Sequence, residues 1–254
     1  MTAPRKPKWL KLGDQLMGPL IGMGLAATQA HRLSTDDLHA LPFLALCHHA
    51  GCLEASDYAN RHGKHSAAVC LVRQSVEALT IVEIGLQDPS FAEPLIADWK
   101  EGRKSQGELR KALEQTVWPR YGLGLWHETW AEFYANLARS VQPYAHYTPE
   151  LQGWQFAAFG YDGDLGFWAT FGPETYDALQ ASRVTLLHVL LTWMLGRILL
   201  AHGKSPDVLQ REQGIRELGK ALSSSKLLFK GGDWGVQLAP HMLFKPGVNW
   251  RDET

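Results

Sequence analysis

One run limits the fold more than any other: "VTLLHVLLTWMLGRILLA", Val184 to Ala201. It approaches the ~20 apolar residues that cross a bilayer as a helix, but it holds His188, Gly196 and Arg197 and lacks the flanking pattern of an anchor. A helix that is apolar on all sides must be covered on all sides. The reading is therefore a central helix of a soluble core rather than a membrane span. The chain has 254 residues, 45% hydrophobic and 20% charged, enough to surround such a helix and to bury most of its apolar surface. The expectation is a mostly α protein, residues 1–254 as one domain, with at least six helices bundled around Val184 to Ala201.

Capping and periodicity supply those helices. After a weakly patterned N-terminus, Ser34 or Thr35 can start a helix that Gly63 ends, with Pro42 kinking or restarting it. His65 to Leu86 is the strongest helical segment: Val69, Val72, Val76, Leu79 and Ile81 keep helical spacing until Asp88-Pro89 stops it. A third helix runs from near Phe91 to about Arg103, and Ser105 with Glu108 forms a capping box for the next. Another covers Glu128 to Val141, and Thr148-Pro149 reads as a further helix start. Pro173 to about His202 and Ser205-Pro206 to about Leu222 complete the set, and the tail 223–254 reads as irregular. The exception is Trp154 to Gly172, where aromatics flank Asp162-Gly163; two short strands or an aromatic-rich loop are expected there.

A net charge of −1 gives no global attraction to nucleic acid or anionic lipid, so any polyanion site has to be local. Two basic runs exist, Pro4 to Lys11 and Trp99 to Lys111, and both read first as solvated faces. Three cysteines, with no secretory leader before them, point to reduced thiols in the cytoplasm. In "CHHAGC", His48 and Cys52 would share a helix face as half a zinc site. The remaining ligands are unaccounted for, so a small core thiol is the plainer reading, and no metal or cofactor is assigned. The chain has no Walker loop, dinucleotide fingerprint or GxSxG elbow, which disfavours nucleotide-triphosphate, dinucleotide and serine-hydrolase readings.

The stretch "NLARSVQPYAHYTPE" carries the chemistry. Seven residues of helix turn through about 700°, which would put Arg139 and His146 on one face. Pro143, however, removes the N–H that the carbonyl of Arg139 would accept, so the helix must end or kink within the motif. Arginine offers a permanently charged planar fork for phosphate oxygens. Histidine exchanges protons near neutral pH. Together they suffice for RNA cleavage without a metal: the imidazole deprotonates a ribose 2′-hydroxyl, and the guanidinium stabilises the charged phosphate. The plain alternative is that Arg139 caps its helix and His146 completes a turn. Arg73 and Glu77, one turn apart, read either as an intrahelical ion pair or as a device in which Glu77 reaches across the bundle to fix Arg139.

An Arg followed by a polar residue, with a His shortly after, resembles the signature of the HEPN (higher eukaryotes and prokaryotes nucleotide-binding) superfamily. "RSVQPYAH" fits it with Ser140 as the polar follower and six residues between Arg139 and His146. "LVRQSVEAL", Leu71 to Leu79, looks like the Arg-x-x-x-Glu helix of HEPN-like proteins, and the similarity spans approximately 65–202. The resemblance implies a helical bundle, a homodimer with facing motifs, and an endoribonuclease of phage-defence or toxin–antitoxin type. It implies Arg139 and His146 as the catalytic pair, supported by Ser140, Glu77 and Arg73. The partners implied are RNA and an antitoxin or defence protein. The alternative from another class is a non-catalytic helical interaction or dimerisation module.

Overall fold

The computed structural model describes residues 6–146, 151, 154, 159–164, 166–169, 176–202 and 206–228. Eight α-helices lie among them: α1 (Lys8–Ala30), α2 (Asp36–Arg61), α3 (His65–Gly85), α4 (Pro89–Lys100), α5 (Gln106–Thr116), α6 (Trp130–Val141), α7 (Ala178–His202) and α8 (Pro206–Ser223). Two strands, β1 (Phe159–Asp162) and β2 (Gly166–Ala169), pair antiparallel with Phe159 opposite Ala169 and Asp162 opposite Gly166. Of the two alternatives expected around Asp162-Gly163, the pair of short strands is the one formed.

The bundle is built around α7. Every residue from Leu186 to Gly196 is buried, so all its faces are covered. It is also the one helix among the described residues long and apolar enough to cross a membrane, and 78% of its most apolar window lies inside the protein. Close approaches are made where glycine removes a side chain. Gly13 of α1 packs on Val189, Gly196 packs on Ile215 of α8, and Gly219 of α8 meets the Trp193 indole. Two polar side chains that enter this core are paired: His188 Nε2 lies 2.7 Å from Ser56 Oγ, and Asn60 Nδ2 donates to the Ala181 carbonyl at 3.0 Å. One hydrophobic cluster runs continuously from Trp9 to Leu228.

Helices α2 and α3 form an antiparallel hairpin, closed by Gly63 at a φ of 71° that suits glycine. Thr35 caps α2, its Oγ1 accepting from the Leu38 N–H at 3.3 Å. Pro42 neither breaks nor restarts α2, which is continuous; its ring packs against Gly85 of α3.

Four boundaries correct the sequence reading. The weakly patterned N-terminal region, for which no helix is expected, holds α1, a helix of 23 residues. Helix α4 begins at Pro89, not near Phe91, because proline suits the first helical turn. It ends at Lys100, not about Arg103, where Gly102 turns the chain at a φ of 72°. Helix α7 starts at Ala178, not Pro173: Asp177 is its cap, with Oδ1 accepting from the Leu179 N–H at 2.7 Å. The helix starts proposed at Thr148 and Ser205 fall outside the described residues, as do tail residues beyond 228.

Candidate functional site

Helix α6 presents the motif. Thr129 and Glu132 make a reciprocal capping box at its start. Trp130, Phe133, Tyr134, Leu137 and Val141 bury one stripe of it. Tyr134 fixes that stripe to α3, its Oη sharing a 2.7 Å hydrogen bond with Thr80 Oγ1. The helix stops at Val141, two residues before Pro143, and a 3-10 turn, Gln142–Ala145, follows. His146 leaves this turn in an extended conformation. The motif is therefore a helix end plus a turn, and the geometry of one continuous helix does not apply to it.

The sequence-selected side chains take different places. Arg139 is exposed in the last turn of α6, bonded to the Asn136 side chain and to the Ala135 carbonyl of its own helix. Ser140 is buried and donates to the Asn136 carbonyl at 2.8 Å, so it serves the helix rather than a ligand. His146 is exposed. Arg73 is buried and pairs with Glu77 at 2.6 Å along α3. The intrahelical pair is thus the one formed, and Glu77 does not reach Arg139. Arg73 continues to the motif turn instead, where its Nη2 donates to Gln142 Oε1 at 3.0 Å. Its Nε and Nη1 are buried with no hydrogen-bond partner among the described residues.

Two clefts border this turn. One, about 490 Å³, lies between α3 and the 3-10 turn and is lined by Arg73, Gln74, Glu77, Gln142, Tyr144 and His146. The other, about 400 Å³, lies between α5 and α6 and includes Arg110, Lys111, Glu114, Ala138, Arg139 and Gln142. Gln142 lines both. Within one protomer, then, His146 shares a cleft with Arg73, and Arg139 lines the neighbouring one. Gln142, Arg110 and Lys111 were not legible as site residues. The available signal was the spacing of Gly107, Arg110, Lys111 and Glu114, which puts all four on one helical face.

The other candidates resolve as packing. His48 Nε2 and Cys52 Sγ do approach, at 3.4 Å, but no group of three or more potential metal ligands occurs among the described residues. Burial raises the thiol pKa of Cys52 and Cys70, which makes both poor nucleophiles. Trp154 is buried edge-on against Tyr144, with ring centroids 5.6 Å apart, so it props the motif turn rather than offering a face to a base. Of the other aromatics in 159–169 the structure describes the backbone only. No protein-family model, curated protein or solved structure matches the chain.

Proposed function

We propose that the face around residues 139–146 is the site of a metal-independent endoribonuclease of phage-defence or toxin–antitoxin type, acting in the cytoplasm. His146 takes the proton from the ribose 2′-hydroxyl, and Arg139 stabilises charge on the phosphate under attack. DNA lacks that hydroxyl and is not a substrate. The observation that supports this reading is the exposure of both side chains beside two neighbouring clefts that share Gln142 as a lining residue. Arg73 supports the site from beneath, held by Glu77 and Gln142 next to the cleft of His146. A homodimer with facing motifs supplies a second copy of each group to each site. An antitoxin or defence protein is the expected partner.

A second reading draws on the separation of the two clefts: a helical interaction module, in which Arg139 closes its helix and His146 completes a turn. Kinetics separate the two. Arg139→Ala and His146→Ala are each expected to lower RNA cleavage by at least two orders of magnitude. The double variant is expected to be little worse, since the two groups act on one transition state. Thermal unfolding of each variant controls for the bonds that Arg139 makes to its own helix. Variants as active as the wild type would leave only the interaction module.

A further inference from the structure

The basic run from Trp99 to Lys111 divides sharply in the fold. Its first half is neutralised locally: Arg103 pairs with Asp98 at 2.8 Å and with Glu101, and Lys104 pairs with Asp98 at 3.3 Å. Its second half is not. Arg110 and Lys111 take part in no ion pair among the described residues, and neither does Arg139 opposite them on α6. Arg110 Nη1 is buried without a hydrogen-bond partner. These three cations line the cleft between α5 and α6, where Glu114 is the only acid. Gly107, Ala135 and Ala138 line it too, and such small side chains keep it open.

We infer that the α5–α6 cleft binds the sugar–phosphate backbone of single-stranded RNA and leads the strand across Gln142 toward His146. This rests on the endoribonuclease reading. The three cations that line the cleft attract a phosphate chain through charge, and that attraction does not depend on base sequence. Positively charged grooves characteristically track the backbone of single strands, and this cleft, about 400 Å³, is of that kind. The His146 cleft adjoins this one, with Gln142 lining both, which favours the molecule processed there over an acidic peptide.

The test is fluorescence anisotropy of a labelled single-stranded RNA on the full chain carrying His146→Ala, so that cleavage does not disturb the equilibrium. Adding Arg110→Ala and Lys111→Ala is expected to weaken binding at least tenfold. The log–log dependence on salt is expected to fall by about 1.4, from roughly 0.7 for each of two phosphate contacts. Glu114→Lys is expected to tighten binding, a gain that misfolding cannot produce, and Lys220→Ala on α8 is expected to change nothing. Unchanged affinity and salt slope in the double substitution, or an untightened Glu114→Lys, would overturn the inference. So would displacement of the RNA by poly-glutamate at equal charge concentration, which would mark an acidic protein partner instead. A cleavage assay keeps the two proposals apart. Cleavage that ignores Arg110 and Lys111 retains the nuclease and removes the channel, whereas binding that needs them in a protein that never cleaves retains the channel and removes the nuclease.

Discussion

Buried titratable side chains set the expected pH response, residue by residue. Burial holds His49 and His188 neutral, and partial burial does the same for His202, lowering each from 6.5 to about 4. Burial pushes Glu83 the other way, from 4.5 up to about 7, even though the Trp118 indole donates to its carboxylate at 3.0 Å. The signs differ. Between about 4 and 6.5 the unfolded histidines bind protons that the folded ones refuse, so their contribution is lost as pH falls. Between 4.5 and about 7 folded Glu83 keeps a proton that the unfolded chain releases, so its contribution is lost as pH rises. Three histidines outweigh one carboxyl. The urea midpoint is therefore expected to fall from pH 6.5 to pH 4.5, and a Glu83→Gln variant is expected to fall more steeply with acid than the wild type. A midpoint that holds steady or rises over this range would mean that the histidines are not buried as described.

At the scale of elements, what could be read in the sequence followed a physical rule. Helices that advertise themselves through caps and a hydrophobic stripe, such as α5 with its Ser105–Glu108 box and α3 with its valines, are where they were expected. Helix α1 was missed because its inward face uses Gly13, Gly24 and Thr28 beside Trp9, Leu16 and Leu20, and such small residues do not register as a stripe. The same logic hid the cleft between α5 and α6: its charges look like ordinary solvated surface until α6 is placed opposite. Neither Arg73 at Gln142 nor the sharing of Gln142 by two clefts is a local pattern; both exist only through packing. Glycine substitutions test this packing directly. Gly85→Ala would set its Cβ 2.1 Å from the rigid Pro42 ring, and is expected to destabilise by about 1–3 kcal/mol. At Gly22, exposed on α1 with nothing within 4 Å, alanine is expected to stabilise by up to about 1 kcal/mol. Denaturant unfolding of the two variants checks both, and equal effects would contradict the α2–α3 contact.

For the whole molecule, the central apolar helix explains the architecture, and the exposed motif turn carries the function proposed. Light scattering of the purified protein is expected to give a dimer at assay concentrations, since an Arg and a His from one chain make a thin site and a facing copy reinforces its positive field. A monomer that still cleaves RNA would refute that assembly. The most direct measurement is cleavage of a labelled RNA in chelator, with wild type beside His146→Ala, and intact RNA beside the same RNA bearing a single 2′-deoxy substitution at the scissile position. The expected result is cleavage only by the wild type, only of the intact RNA, at a rate the chelator does not change. Equal cleavage by His146→Ala, or none by the wild type across diverse RNAs, would contradict it.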